Sequence, residues 1–362
     1  MTVTPIGGEA HRAFRETKFF ASLDGLRCIS ILAVIWHHAA GTVYGAYNPL
    51  FARGNNGVTL FFAISGFLIT TLLIREKEKT GKISLRKFYM RRTLRIFPLY
   101  YTVLLVYVAA VWFVEKDPNA KSAFFDHLPF YATYTSNWFV EYDHGRVIFY
   151  FAWSLATEEQ FYMVWPAVSK RLGWGGAVVF MLTLVTATLF VQIGVIGVPD
   201  GLFRTILLSV APGICLGSVL AHLLHRPASF DVLYKIFGWR YAPVFFFVLT
   251  AVFLATPLYD DWGIHVMCVL IVTACVIRED HVLRPLLSWR PVRWMGTVSY
   301  GMYLMHMLSL NAFKMASTRV GFHHPLVEFV GASLLATFAA TISFKYYESF
   351  FLNIKKRFET PR

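Results

Sequence analysis

Apolar residues in this chain are grouped into ten long segments, which polar and charged residues separate. Each segment is close to the run of about 17 to 25 mostly apolar residues that a helix needs to cross a bilayer. The pattern therefore predicts an all-α, polytopic membrane protein with about ten transmembrane helices, of which the eighth is the shortest. The predicted spans are residues 26–46, 57–74, 98–114, 148–168, 173–196, 203–223, 241–258, 262–277, 294–313 and 325–346.

The composition supports a membrane protein and excludes other classes. Of the 362 residues, 56% are hydrophobic and only 15% are charged, which is too apolar for an ordinary soluble domain. A net charge of +13 would indicate nucleic acid only on a soluble module with a basic face, so we predict no nucleic-acid partner. Four scattered cysteines in apolar runs, without a C-x-x-C pair, predict buried thiols rather than disulfides or a metal site. They are Cys28, Cys215, Cys268 and Cys275.

The basic residues indicate the orientation of the predicted spans, because cytoplasmic loops of membrane proteins carry an excess of Lys and Arg. If the N-terminus is inside, 27 of the 34 basic residues lie on the cytoplasmic side and the other 7 lie outside. Both termini are then cytoplasmic. We predict a multi-pass protein of the cytoplasmic (inner) membrane, with a tail at 1–22, a transmembrane domain at 23–348 and a basic tail at 349–362.

The longest predicted outer loop, residues 115–147, is rich in aromatic side chains. They could form the aromatic belt found at membrane interfaces. They could instead form a lid that stacks on sugars above an outward-facing site. The sequence leaves both interpretations open. The aromatic residues are Phe124, Phe125, Phe130, Tyr131, Tyr134, Trp138, Phe139 and Tyr142.

Ionisable residues in the first predicted span are the clearest indication of a functional site, because such groups are costly inside a membrane. Arg27 and His38 are eleven residues apart. On a helix this is three turns plus roughly 20°, with a rise of roughly 16 Å. His37 is rotated by roughly 80° from that line. The spacing predicts a charged group at one membrane surface and the His38 imidazole well inside, on a single stripe.

A basic element precedes the third predicted span. The element contains nine Lys and Arg residues, and the preference for positive charge on the cytoplasmic side is enough to explain Lys77, Lys79 and Lys82. Arg92 and Arg95 differ from the rest, because they are one helical turn apart and directly adjoin the span. Arginine can hold a phosphate through two hydrogen bonds. The two residues therefore bind either a phosphorylated cofactor or lipid headgroups.

The fourth predicted span contains two adjacent carboxylates, Glu158 and Glu159. Carboxylates at membrane depth are costly unless they are paired or neutralised. Helical spacing places Ser154, Glu158 and Tyr162 on one face, while Glu159 points elsewhere. Glu158 could be catalytic, or it could pair with a membrane arginine and hold helices together.

Two more predicted spans carry polar residues at helical spacing. In the ninth span, Ser299, Tyr303 and His306 recur at i, i+4 and i+7 and form a polar stripe on an apolar helix. A lone histidine there is most often structural, but a second histidine at a depth comparable to His38 favours a shared cavity. In the second span, Ser65-Gly66 predicts close helix packing.

The same residues carry a resemblance to a known family. The motifs and their order resemble those of the acyltransferase 3 family, and they extend from residue 23 to 306. The C-terminal Tyr346–Phe351 segment is similar to the closing motif of the family, except that Phe350 stands where proline is usual. The matching blocks are Leu23-Asp24-Gly25-Leu26-Arg27 with His38, Phe61-Phe62 with Ser65-Gly66-Phe67, Arg92 with Arg95-Ile96 and Pro98, Trp153-Ser154-Leu155 with Glu158-Glu159-Gln160-Phe161-Tyr162, and Ser299-Tyr300 with Tyr303-Leu304 and His306.

The resemblance implies a membrane-bound O-acyltransferase, usually an acetyltransferase. Such an enzyme takes the acyl group from cytosolic acyl-CoA, most often acetyl-CoA, and places it on a hydroxyl of a polysaccharide, a lipid-linked sugar or a small glycoside. By the family pattern, Arg27, Arg92 and Arg95 bind or orient the CoA, and the histidine eleven residues beyond Arg27 is catalytic. That histidine is His38. No metal is implied, and the extra hydrolase-like domain of some members is not expected here.

Together these observations give a mechanistic hypothesis. His38 acts as a general base on the acceptor hydroxyl, or as a nucleophile that carries the acyl group. Glu158 orients or stabilises the imidazole, and Tyr303 and His306 donate to the developing oxyanion. Acyl-CoA, a sugar acceptor and membrane lipid are the predicted partners, and the oligomeric state is not predicted. The alternative is a proton-coupled transporter or a flippase, although no internal repeat supports it.

Overall fold

A computed structural model describes residues 6–141 and 146–359 of the chain. Helices and their connections account for all of this part, and it contains no strand, which confirms the predicted all-α class. The helices of ten or more residues are α1 (Ile6–Glu16), α2 (Ala21–Trp36), α3 (Gly57–Thr80), α4 (Leu85–Val114), α5 (Pro118–Ala132), α6 (Ala152–Arg171), α7 (Trp174–Gln192), α8 (Pro212–Leu224), α9 (Pro227–Phe237), α10 (Ala242–Ala255), α11 (Gly263–Val276), α12 (Ser299–Arg319) and α13 (Pro325–Ile342).

Shorter helical segments connect or extend these helices. Two of them, His37–Gly41 and Ser343–Glu348, are wider π-helical turns. The others are Thr42–Gly45, Pro49–Ala52, Arg53–Asn56, Ser136–Phe139, Leu202–Leu208, Arg284–Leu287, Arg290–Thr297, Ser349–Lys355 and Lys356–Phe358.

Several of these helices are long and apolar enough to cross a membrane. Two bent pairs, Leu202–Leu208 with α8 and α9 with α10, each count as one further span if the pair crosses the membrane together. By length and hydropathy the described residues therefore contain five to seven spans. The five continuous ones are Ala21–Gly45, Pro49–Thr80, Leu85–Val114, Trp174–Gln192 and Pro325–Phe358.

The predicted count of ten spans is not confirmed. Helix α11 has 14 residues, which gives about 21 Å of length against a hydrocarbon core of about 30 Å. Helices α6 and α12 are long enough, with 20 and 21 residues, but their polar side chains lower the hydropathy. These two helices carry Glu158 and His306, so the residues that indicate function are also those that weaken the hydropathy signal. The cytoplasmic position of the termini stays a prediction.

The chain forms two compact units. The first unit consists of Met1–Ile74 and Pro212–Phe344, and the second of Arg75–Ala211 and Lys345–Arg362. The predicted domain boundaries at residues 22 and 348 stay a prediction, since this division follows the packing of the helices and not the membrane. All four cysteines are buried and unpaired, as predicted.

Glycines allow helices α3 and α8 to pack closely in the first unit. A Cβ atom on Gly66 would lie 2.0 Å from the carbonyl oxygen of Ile214, and one on Gly217 would lie 2.3 Å from that of Ala63. Neither distance leaves room for a methyl group. The prediction that Ser65-Gly66 permits close helix packing is therefore confirmed.

The N-terminal helix α1 packs on α9 within the first unit. The His11 and Phe14 rings lie 4.8 Å and 5.7 Å from the Phe230 ring between centroids. Phe14 and Phe230 are almost fully buried. This part of the predicted tail therefore contributes to a hydrophobic core.

The aromatic segment 115–147 is mostly helical, and several of its rings form the interior of the second unit. Phe124, Tyr131 and Tyr134 are all buried. The Tyr131 hydroxyl donates to the carbonyl of Ile148 at 2.9 Å, and Tyr134 stacks on Tyr100 at 4.3 Å between ring centroids. These rings face neither lipid nor a sugar, so the belt and the lid interpretations do not apply to them. Tyr142 lies outside the described residues.

Candidate active site

The histidine pair lies in a π-helical turn. Helix α2 ends at Trp36, and His37–Gly41 continues it with the wider π geometry. Such turns insert extra backbone into a helix and are frequent at functional sites. The sequence predicted an uninterrupted helix from residue 26 to 46, and nothing in its hydrophobic pattern indicated this change.

His37 is held by the backbone of the segment that follows α2. Its Nδ1–H donates to the carbonyl of Ala52 at 2.8 Å, and the neighbouring Trp36 indole donates to the carbonyl of Phe51 at 2.9 Å. A Cβ atom on Gly54 would lie 2.4 Å from the Ala33 carbonyl oxygen, so the segment packs directly on the helix. These contacts give His37 a structural role.

His38 points to another neighbour, His306 of α12. The two imidazoles stack, with 5.4 Å between ring centroids and 30° between their planes. His306 has no exposed surface, whereas His38 is partly exposed. The sequence placed both residues at comparable depth, and the fold brings them into contact.

The polar stripe predicted on α12 is buried. Ser299, Tyr303 and His306 are 5%, 6% and 0% exposed, and the Tyr303 ring contacts both His306 and Phe61 of α3. The His306 Nδ1–H donates to the Tyr303 carbonyl. In a neutral imidazole the other nitrogen, Nε2, is then a hydrogen-bond acceptor. Neutral His306 therefore cannot donate from Nε2 to an oxyanion.

Arg27 forms an ion pair with Asp24 one turn earlier on α2. The Arg27 Nη1 atom lies 3.2 Å from the Asp24 carboxylate, and about a third of the Arg27 side chain is exposed. Two glycines allow other segments to pack closely against this part of α2. A Cβ atom on Gly25 would lie 2.5 Å from the Leu287 carbonyl oxygen, and one on Gly296 would lie 1.8 Å from that of Asp24. The Leu23–Arg27 motif is therefore a helix contact that presents a partly exposed arginine.

A second group of predicted residues comes together in the second unit. The Tyr162 hydroxyl donates to Glu158, as their shared helical face predicted. The Arg92 guanidinium lies over the Tyr162 ring at 4.8 Å and near the Phe88 ring at 5.8 Å. Glu159, on another face of α6, is the more deeply buried of the two carboxylates, at 7% exposed.

Two polar residues to which the sequence reading gave no role support this group. Asn137 and Gln160 exchange two hydrogen bonds through their side-chain amides, at 3.0 and 2.9 Å. Gln160 also donates to the carbonyl of Tyr134 at 2.8 Å, and Tyr134 has a left-handed backbone with φ of 54°. Gln160 directly follows the two carboxylates in the chain, so its position in the sequence could have indicated that it belongs to the site. Nothing in the sequence around Asn137 indicated this.

The structure therefore brings the predicted residues into two groups. His38, Tyr303 and His306 meet in the first unit, which also contains the pair of Arg27 and Asp24. Arg92, Glu158 and Tyr162 meet in the second unit, where Arg95 follows Arg92 by one turn of α4. Among the described residues, no group of three or more His, Cys, Asp or Glu side chains is arranged to hold a metal ion.

Comparison with known proteins identifies the domain. A family model described as an acyltransferase domain, that of acyltransferase 3, matches residues 20–345. The chain is 27% identical to the peptidoglycan O-acetyltransferase OatA of Listeria monocytogenes over 92% of its own length and 56% of that protein. It is 30% identical to the putative peptidoglycan O-acetyltransferase YrhL of Bacillus subtilis over 80% of its length and 48% of that protein.

Matches over a shorter part of the chain agree with these. A putative O-acetyltransferase of Staphylococcus aureus is 31% identical over 44% of this chain and 26% of that protein. The chain thus spans about half the length of the two peptidoglycan O-acetyltransferases and about a quarter of the staphylococcal protein. No solved structure matches.

Proposed function

Because the chain belongs to the acyltransferase 3 family, we propose that it is a membrane-bound O-acetyltransferase of a cell-wall polysaccharide, working in the cytoplasmic membrane. The acyl donor is acyl-CoA, most simply acetyl-CoA, and the acceptor is a sugar hydroxyl. The family assignment agrees with the O-acyltransferase that the motifs predicted. The two similar peptidoglycan O-acetyltransferases support a cell-wall glycan as the acceptor.

The contact between His38 and His306 carries this proposal. His38 is the partly exposed member of a stacked imidazole pair, and Arg27 lies about three turns away on the same continuous helical stretch, Ala21–Gly45. Those three turns correspond to a rise of roughly 16 Å. An acyl-CoA that places a phosphate at Arg27 could therefore extend its pantetheine arm along α2 toward the imidazole.

In the proposed reaction, His38 acts on the acceptor or on the donor. As a general base it takes the proton of the sugar hydroxyl while the oxygen attacks the thioester carbonyl. The carbon–sulfur bond then breaks, and the CoA thiolate leaves and takes up that proton. As a nucleophile His38 would first accept the acyl group, with breakage of the carbon–sulfur bond and release of the CoA thiolate, and then pass it to the hydroxyl, whose proton goes to that thiolate. Both routes need a neutral imidazole.

The neighbours of His38 have distinct roles in this proposal. Tyr303 has a hydroxyl that can donate to the oxyanion formed at the thioester carbonyl. His306, whose Nδ1–H is occupied by the Tyr303 carbonyl, supports His38 through stacking and its Nε2 lone pair rather than by donating to the oxyanion. Glu158 as the group that orients His38 stays a prediction. Its hydrogen bond with Tyr162 supports a role beside Arg92.

A pair of histidine variants tests the proposal. His38→Ala should lower acyl transfer from labelled acetyl-CoA by at least about a hundredfold, the usual contribution of a general base. His37→Ala is the matched control, because the His37 imidazole hydrogen-bonds to the backbone carbonyl of Ala52 and meets the His38 ring only edge-on, at 4.9 Å between ring centroids. We expect the control to keep most of the activity per folded protein. Full activity of His38→Ala would remove His38 from the mechanism, and no acetyl-CoA consumption by the native protein would favour a carrier.

A further inference from the structure

An ion pair with no role in the proposed reaction joins α12 and α13 in the first unit. The Lys314 ammonium lies 3.6 Å from one carboxylate oxygen of Glu328, and the His323 Nδ1 atom lies 3.8 Å from the other. The Glu328 side chain is only 12% exposed, whereas that of Lys314 is 40% exposed. The fold therefore holds the carboxylate inside and leaves the ammonium accessible.

The ion pair lies beyond the stacked histidines, on the side away from the proposed donor site. Near the start of α2, the Leu23–Arg27 motif packs against Gly296, and further along, His38 stacks on His306. The two segments therefore run in the same direction, and Lys314 lies eight residues, about 12 Å, beyond His306 on α12. The positive charge of Lys314 acts on the His38 imidazole. The pair thus stands where an acceptor can meet an imidazole that the donor approaches from the other end.

A group of aromatic rings adjoins the ion pair. Phe329 directly follows Glu328 in α13, and its ring meets that of Trp36 at 5.2 Å between centroids. The Trp36 ring also meets Tyr44 at 5.5 Å and Phe51 at 5.9 Å. The packing of α13 on the end of α2 therefore joins the carboxylate to a set of aromatic side chains.

The aromatic rings continue onto the surface. The Tyr47 ring meets Tyr44 at 6.2 Å and is 81% exposed, and Phe51 is 40% exposed. The Trp36 indole N–H donates to the Phe51 carbonyl at 2.9 Å, which fixes the indole ring at one edge. Aromatic faces thus reach the surface beside a polar pair. We call Trp36, Tyr44, Tyr47, Phe51 and Phe329 the aromatic cluster.

A neutral sugar ring matches this combination of groups. Its C–H faces are apolar and can lie on aromatic rings, and its hydroxyls both donate and accept hydrogen bonds. The Lys314 ammonium offers only donors, and the Glu328 carboxylate offers only acceptors. Because these two charges compensate each other, a neutral ligand adds no charge to the site, whereas a phosphate or a carboxylate would have to compete with Glu328. Binding sites for small molecules typically combine aromatic rings with a few placed polar groups in this way.

We propose that the Lys314–Glu328 pair and the aromatic cluster form the acceptor subsite, in which a neutral sugar ring of the glycan presents a hydroxyl to His38. This inference rests on the proposed acyl transfer and adds the residues that bind the acceptor. Exposed rings also form aromatic belts at membrane interfaces. The subsite is the better explanation here, because a belt requires no ion pair whose charge acts on the reacting imidazole.

Variants of two cations on α12 test the polar part of the subsite in the full-length protein. The acceptor is a soluble tetrasaccharide of N-acetylglucosamine and N-acetylmuramic acid whose carboxyl groups are amidated, so that it is neutral. Lys314→Gln should raise the KM for this acceptor about tenfold, the usual order for a lost hydrogen bond to a charged group, and leave the KM for acetyl-CoA near its native value. Lys314→Arg keeps the charge and the donors and should restore the acceptor KM. Arg319→Gln is the matched control, since Arg319 is an exposed cation on the same helix, and it should change neither KM.

Variants of Tyr47 test the aromatic part. Tyr47→Ala should raise the acceptor KM about three- to tenfold, because it removes one stacking ring. Tyr47→Phe keeps the ring and should retain a KM near the native value. If Tyr47→Ala lowers only the amount of protein inserted in the membrane and leaves the acceptor KM unchanged, the rings form a belt and the aromatic part of the subsite is wrong.

Direct binding separates this inference from the proposed reaction. Binding of the same neutral tetrasaccharide to the purified protein in nanodiscs is measured by calorimetry, without acetyl-CoA. A protein that binds the tetrasaccharide through Lys314 but transfers no acyl group to it would disprove the proposed function and keep the inference. A protein that transfers the acyl group with an unchanged acceptor KM in both Lys314→Gln and Tyr47→Ala would keep the proposed function and refute the inference.

Discussion

The glycine at residue 296 makes the packing of the Leu23–Arg27 motif open to a quantitative test. The short helix Arg290–Thr297 crosses α2 there, and a Cβ atom on Gly296 would lie 1.8 Å from the Asp24 carbonyl oxygen and 2.9 Å from the Asp24 Cα. Ordinary van der Waals contact begins at 3.4 Å, so the two backbones must separate by 3.4 − 1.8 = 1.6 Å. Both obstructing atoms belong to backbone, which cannot rotate aside.

Gly296→Ala should therefore destabilise the protein, although alanine favours a helix. The intrinsic gain of replacing a helical glycine with alanine is up to about 1 kcal/mol. Overpacking a close contact typically costs about 1 to 3 kcal/mol. Gly175→Ala in α7 is the matched control, because that glycine is helical and exposed and no atom lies within 4 Å of its added Cβ. In the difference between the unfolding free energies of the two variants, the gain in helix propensity cancels and the steric cost remains.

The assay is thermal unfolding of the purified variants in one detergent, followed by tryptophan fluorescence. We expect the melting temperature of Gly175→Ala to equal or exceed that of the native protein. That of Gly296→Ala should fall, with a difference between the variants equivalent to about 1 to 3 kcal/mol. Equal melting temperatures for the two variants would refute the close contact between α2 and residues 290–297.

Glu279→Gln should make the protein less stable toward unfolding as the pH falls. The reason is that the native protein has two titrating groups with opposite effects on stability, and this variant removes one of them. Ser22 contacts both Glu279 and His281, and burial raises the pKa of Glu279 to about 7 and lowers that of His281 to about 4. The contribution of Glu279 to folding stability is fully present below its unfolded pKa of 4.5 and is lost as the pH rises through its folded pKa of about 7. The contribution of His281 is fully present above its unfolded pKa of 6.5 and is lost as the pH falls through its folded pKa of about 4. The two effects oppose each other between pH 4.5 and 6.5. The variant should lose up to about 3 kcal/mol from pH 6.5 to pH 4, and a melting temperature that stays flat with pH would contradict this. Glu76→Gln leaves Arg91 without its carboxylate partner, and loss of one member of a buried pair costs about 3 to 5 kcal/mol. Native-like thermal unfolding of that variant would show that the pair does not hold the start of α4.

Much of the site was predictable because it depends on local properties of the chain. Hydropathy over about 20 residues identifies membrane helices, and helical phase distinguished His38 from His37 before any contact was known. The His37 ring does bond to backbone, and the His38 ring does meet a second histidine. The motif blocks were sufficient for the family, since the acyltransferase domain matches residues 20–345.

The number of spans could not be predicted from the hydropathy of the sequence. Helices α6 and α12 carry their polar residues on faces that other helices cover, and average hydropathy does not record direction. The π-helical turn at His37–Gly41 is likewise set by packing. Both features depend on which helix faces meet.

The sequence by itself determined that this is an all-α membrane protein of the acyltransferase 3 family with ionisable groups along its first span. The tertiary structure decided that His306 is the residue that stacks on His38. This pair is separated by more than 250 residues. Such a contact follows from how helices pack, through glycines that permit close approach, and no local pattern encodes it.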